Sequence, residues 1–310
     1  MALLTAGFVL ALALGAAAEP PREPVERVRG ALASVRFVAY TPRGFDPEAG
    51  AGPVDPAAIR ADLALLRRWF DGLVTYSSAR GLDAVPRLAR ELGFRAVVLG
   101  VWDPANDAEL ALATAAARAE PDTVIALALG NEGLFFARYP AGALAAAFAR
   151  ARRDAPGVAV TTSEPFASYL DARRAAELPA QDFLLPVVHP LDQPWFANAT
   201  RATRVDFVVN VAGELAARFP LPVLIKETGV PSGPASQGVD EADQAEFWSG
   251  LATALPPTRE RAFVWFEAFD APWKIASVAA QTGHVRETEA HWGLLRADGT
   301  PKPALRALAR

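Results

Sequence analysis

The chain has 310 residues, 52% of them hydrophobic, with a formal net charge of −4. That length suits a single α/β domain with an ample core, and the mildly acidic balance without a basic run argues against nucleic acid or an anionic membrane as partner. There is no cysteine, and the three histidines lack His-Glu-x-x-His spacing, so disulfides, thiolate chemistry, a bound metal and a cofactor are not expected.

Residues 1–18 read as a secretory signal, because Leu3 to Ala17 is apolar apart from Thr5 and Ala16-Ala17-Ala18 offers small residues before Glu19. An uncleaved anchor is the alternative, although the run is short against the roughly 20 residues of a membrane span. Either way the protein is expected to be exported, to the periplasm or the outside. Residues 19–30, rich in proline and charge, read as a linker, and 31–310 as one catalytic domain.

From Val35 strands and helices alternate. The first strand is Val35 to Tyr40. Asp55-Pro56 then supplies an N-cap with proline at the first helical position, and Ile59, Leu63, Leu66 and Phe70 form one helical stripe. Leu73 to Tyr76 and Ala96 to Val101 are the second and third strands, with helices at Leu82 to Leu92 and Glu109 to Ala119. Val124 to Leu129, Gly157 to Thr162, Phe183 to Val188, Val223 to Glu227 and Phe263 to Phe266 complete eight strands. Val208, Ala212, Leu215 and Phe219 mark one later helix, Trp248, Leu251 and Leu255 another, and Pro303 to Ala309 a closing one. Parallel strands need crossover helices, so the expected fold is a (β/α)8 TIM barrel in one domain.

Two of these strands end on a carboxylate. Val124 to Leu129 stops at Gly130-Asn131-Glu132, and the seventh strand stops at Lys226-Glu227-Thr228-Gly229. Barrels build their active sites at the C-terminal ends of strands. Glu132 and Glu227 are therefore expected to face one another across a sugar-binding cleft. A retaining glycosidase needs two carboxyl groups about 5 Å apart, one protonated and one ionised, in environments that separate their pKa values. Asn131 is placed to hydrogen-bond a sugar hydroxyl beside the anomeric centre. Tyr40 and Tyr76 end the first two strands, and His189 follows the sixth. Trp195, Trp265, Trp273 and Trp292 offer flat rings for apolar sugar faces, whereas Trp248 sits on a core stripe. Glu164, Glu267 and Lys274 can bind sugar hydroxyls, tune the glutamates by charge, or form structural ion pairs. Lys226 leaves a Schiff-base barrel enzyme open; against it, alternation along a strand lets only one of Lys226 and Glu227 face the axis.

Several blocks together resemble glycoside hydrolase family 17, the β-1,3-glucanases. They are Gly130-Asn131-Glu132 and Glu227-Thr228-Gly229-Val230-Pro231-Ser232, with Tyr40-Thr41-Pro42, Thr75-Tyr76-Ser77, Leu99-Gly100-Val101-Trp102 and Thr161-Thr162-Ser163-Glu164-Pro165. Glu267-Ala268-Phe269-Asp270-Ala271-Pro272-Trp273-Lys274 and His291-Trp292-Gly293-Leu294 are similar to the bacterial branch. The resemblance implies Glu132 as general acid/base, Glu227 as nucleophile and β-glucan as the partner of an enzyme that hydrolyses or transfers glucosyl units; a monomer is expected. A glucan-binding barrel without catalysis is the remaining alternative. Two departures, Val230 where the family usually has Trp and Ala271 where it usually has Gln, are expected to remove contact surface near the cleft.

Overall fold

The computed structural model describes residues 22–47 and 52–308, so the expected signal segment lies outside the described residues. Among the described residues seven parallel strands form: β1 Phe37–Ala39, β2 Gly72–Val74, β3 Ala96–Val101, β4 Val124–Asn131, β5 Ala159–Ser163, β6 Val223–Ile225 and β7 Arg261–Trp265. They pair in the order β5-β4-β3-β2-β1-β7-β6. Every residue of β1 to β6 is buried, as follows when crossover helices cover the sheet.

The sixth expected strand is reduced. Phe183 to Val188 lies between the two sheet edges and makes isolated parallel bridges, Leu184 to Val223 and Val187 to Glu227 on one side and Pro165 to Val187 on the other. Pro186 is the local reason, since it has no N–H to give a ladder and contributes only its carbonyl, which accepts from Lys226 N at 2.9 Å. What is observed is a curled seven-stranded α/β sheet with this segment across its gap.

The expected linker is corrected as well. Residues Arg22–Ser34 form a 13-residue helix. Pro24, in its first turn where proline is tolerated, begins a stripe with Val28, Ala31 and Leu32 that is buried against β4, β5 and β7. Arg27 donates to Pro121 O and Arg29 pairs with Glu260 at 2.9 Å, both partners just preceding a strand. The helix thus caps the N-terminal end of the sheet and leaves the C-terminal end free.

Helices on the outside follow the expected stripes. Pro56–Leu66 starts at Asp55, whose side chain accepts from Ala57 N at 2.8 Å. Glu241–Ala254 buries Trp248, which stacks on Trp265 with ring centroids 4.6 Å apart. Trp265 therefore belongs to the core rather than to a sugar platform, because the side chain of this last residue of β7 faces that helix. The last element of the described residues is a 3-10 helix, Pro303–Leu308. Among the described residues no helix is long and apolar enough to cross a membrane.

Candidate active site

β4 carries its ladder through Asn131 and then turns sharply. Gly130 has φ 79°, and a Cβ there would lie 1.8 Å from the Tyr139 hydroxyl, so no larger residue fits. Glu132 itself is left-handed at φ 53°, a conformation costing an ordinary residue about 1 kcal/mol. Two backbone bonds hold it there, Glu132 N to Ser163 O at 2.6 Å and Phe136 N to Glu132 O at 3.0 Å. Such a conformation persists only where the surroundings hold it. Glu227 follows β6, where its carbonyl accepts from Val188 N at 2.8 Å.

Both side chains line one cleft of about 510 Å³ at the C-terminal ends of the strands. Of the residues expected from sequence, Tyr40, Tyr76, Asn131, His189, Trp273, Lys274 and Trp292 line it too. The Tyr40 hydroxyl is engaged with Asp62 at 3.3 Å, so this residue offers its ring. Trp273 meets Phe45 edge to face at 6.0 Å, joining the loops after β7 and β1.

The environments of the two glutamates differ. Burial raises the Glu132 pKa, and the charge of Glu227 raises it further, so Glu132 is held protonated above the usual carboxylate range. Burial also works against ionisation of Glu227. There it is outweighed by His189, whose Nε2 lies 3.6 Å from Oε2, and by the Lys226 and Lys274 ammonium groups. Glu227 is held ionised, below the usual range. Burial draws the His189 pKa down, but Glu227 and the other nearby carboxylates bring it above its ordinary value. Tyr76 is pushed well up by burial and then by the Glu227 and Glu267 charges.

Lys226 corrects the argument from strand alternation. Its ammonium donates to Asn131 Oδ1 at 2.6 Å and lies 3.8 Å from Glu227 Oε1, so both neighbours reach the site. The regular strand ends at Ile225, and beyond it the in-out rule no longer applies.

Other expected residues stand elsewhere. Glu164 is fully buried and accepts the Leu134 and Phe135 amides at 2.9 and 3.1 Å; it anchors the loop after Glu132 and does not line the cleft. Glu267 sits behind Lys274 in a 2.6 Å ion pair. Trp195 packs edge-on against Phe207 at 5.2 Å, away from the cleft, because the turn after His189 carries it outward. Val230 and Ala271 are buried and do not line the cleft, so neither departure from the family pattern strips its surface directly.

Sequence reasoning assigned no role to Trp102 or Glu109. Trp102 is 41% exposed, with the Arg138 guanidinium 4.0 Å from its ring centroid. Glu109 accepts from Ser77 Oγ, Ser78 N and Trp102 N at 2.6, 3.1 and 2.9 Å, tying the β2 and β3 loops together. The Leu99-Gly100-Val101-Trp102 block was the available signal for the first; Glu109 looked like an ordinary first-turn helix acid.

The family model described as the BtgE/BtgC glycoside hydrolase domain matches residues 38–293. A glucan 1,3-beta-glucosidase of Arthroderma benhamiae is 27% identical over 264 residues, covering 80% of this chain and 84% of that protein. A glycoside hydrolase family 17 β-1,3-glucanosyltransferase from Rhizomucor miehei has a similar structure, with TM-score 0.63, 21% identity, and coverage of 86% and 95%. Its active-site mutant in complex with laminaritriose gives TM-score 0.64, 20% identity, and coverage of 87% and 96%. An endo-laminarinase from Formosa Hel1_33_131 gives TM-score 0.66, 20% identity, and coverage of 94% and 89%.

Proposed function

The chain belongs to the BtgE/BtgC glycoside hydrolase domain family, and on that premise we propose that it cleaves β-1,3-glucan with retention of configuration. The observation that carries the proposal is that two strand-end glutamates share one cleft, with His189 Nε2 3.6 Å and Lys226 Nζ 3.8 Å from Glu227, an arrangement that favours opposite ionisation of the pair. In the first step Glu132 gives its proton to the glycosidic oxygen as Glu227 attacks the anomeric carbon. The aglycone leaves as an alcohol, and a glycosyl ester forms on Glu227. Glu132, now a carboxylate, then takes a proton from water, whose oxygen attacks the same carbon and frees Glu227. His189, Lys226 and Lys274 keep Glu227 anionic before attack.

The β-1,3-glucan assignment is supported by the names of the relatives and by the laminaritriose complex of the Rhizomucor enzyme. A binding-only barrel is disfavoured, since Glu132 and Glu227 share one open cleft in environments that favour opposite protonation states, as an acid and a nucleophile require. A Schiff base on Lys226 is disfavoured because that nitrogen is bonded to Asn131. We read the fold as a (β/α)8 barrel with Phe183 to Val188 as its broken strand, and the protein as an exported monomer.

The test is proton NMR of laminari-oligosaccharide cleavage from the first minute. The β-anomer is expected first; a first-formed α-anomer would overturn retention. Products longer than the substrate would show that a sugar hydroxyl competes with water for the intermediate.

A further inference from the structure

Lys226 transfers no proton in either step, yet it lies inside the site. Its side chain is 1% exposed, bonded to Asn131 Oδ1 at 2.6 Å, 3.8 Å from Glu227 Oε1 and 4.1 Å from the Tyr76 ring centroid. Burying an ammonium is costly unless its charge is paired, so packing alone would favour an apolar residue here. An ammonium has three donors and no acceptor. The atom of the Asn131 amide that meets it must therefore be the carbonyl oxygen. The amide NH2 is then turned away from Lys226, on a residue that lines the cleft. Without a partner of fixed polarity, the two ends of an amide are nearly equivalent in shape.

We propose that Lys226 is a positioning residue: it locks the Asn131 amide with its N–H donors toward the sugar hydroxyl beside the anomeric carbon, and it keeps a cation against Glu227. This rests on the hydrolytic reading above. The groups facing Lys226 are Asn131 from β4, Tyr76 after β2 and Glu227 on its own segment, with Glu132, Arg138 and Lys274 as the further titratable groups. Burial draws the lysine down to about 8, against the pull of Glu227 and Glu132, which leaves it mainly charged at neutral pH.

The two roles separate by substitution. Lys226→Met removes donor and charge; Lys226→Gln keeps an N–H donor and removes the charge. The quantity read is the ratio of kcat/KM for 2,4-dinitrophenyl β-glucoside to that for its 2-deoxy analogue, with the pH profile of kcat/KM. A hydrogen bond of ordinary strength predicts that the ratio falls about tenfold in Lys226→Met and holds within about threefold in Lys226→Gln. The acid limb should move to higher pH in both, because Glu227 has lost a cation. In an Asn131→Ala background, Lys226→Met should leave the ratio within about threefold, as for two groups acting through one contact. An unchanged ratio in Lys226→Met, or an unmoved acid limb in Lys226→Gln, would overturn the proposal. Thermal melts check folding, and if neither lysine variant folds, Asn131→Ala alone must collapse the ratio or the proposal fails. A folded parent enzyme inactive on both the aryl glucoside and laminari-oligosaccharides would instead overturn the hydrolase reading, and this role with it.

Discussion

Glu132→Gln exchanges an acid held protonated for a neutral amide of the same shape, which makes its consequences separable. On laminari-oligosaccharides, whose leaving group needs a proton, kcat/KM should fall about 10²- to 10⁴-fold. On 2,4-dinitrophenyl β-glucoside, which leaves unaided, the glycosylation step should stay within about tenfold. Stability should move the other way. The pKa of Glu132 is raised in the folded state by burial and by the Glu227 charge. The protein therefore holds this proton more tightly than the unfolded chain does, and loses stability as pH rises from the unfolded value through the folded one. Each tenfold in the ionisation constant is about 1.4 kcal/mol, and Gln titrates in neither state. The variant and its parent should melt together near pH 4, and the variant should melt higher by several degrees near pH 8. The assay is calorimetry across that range beside kinetics on both substrates. Equal losses on the two substrates would show that Glu132 is not the acid, and a variant that melts lower at pH 8 than its parent would show that it is not held protonated.

Glu227→Ala should abolish turnover, and azide should restore it with an inverted glycosyl azide as product; an active variant that still retains configuration would move the nucleophile elsewhere. Trp273→Ala should raise KM for laminaritriose about three- to tenfold without lowering the melting temperature, as expected for loss of one aromatic face; an unchanged KM would make Trp273 a wall of the cleft and no more. Lys302 is 3% exposed and donates to Asp270 Oδ1 at 2.5 Å and Ser232 Oγ at 2.7 Å. Lys302→Met, which strands a partly buried carboxylate, should cost about 2–4 kcal/mol in urea unfolding; a cost below about 1 kcal/mol would mean that Asp270 is well solvated.

The amino-acid sequence alone was enough to order most of the strands and helices and to single out Glu132 and Glu227 as candidates at strand ends, because both signals are local. A buried parallel strand must be apolar throughout, and a carboxylate at its end stands out against that background. The helix at Arg22–Ser34 was legible in principle from the stripe of Pro24, Val28, Ala31 and Leu32, but prolines and charges masked it. Pro186, similarly, foretold a weak strand only to a reader who knew that its neighbours needed its missing N–H. What only the tertiary structure decided is where side chains point beyond the strand ends. Glu164 turns to the amides of Leu134 and Phe135, Trp195 turns outward, and Lys226 turns in beside Glu227. In a strand, direction alternates by residue and can be counted; in the loops that make this site it depends on backbone torsions and on partners far along the chain, such as Asn131 and Lys226, that no local pattern joins.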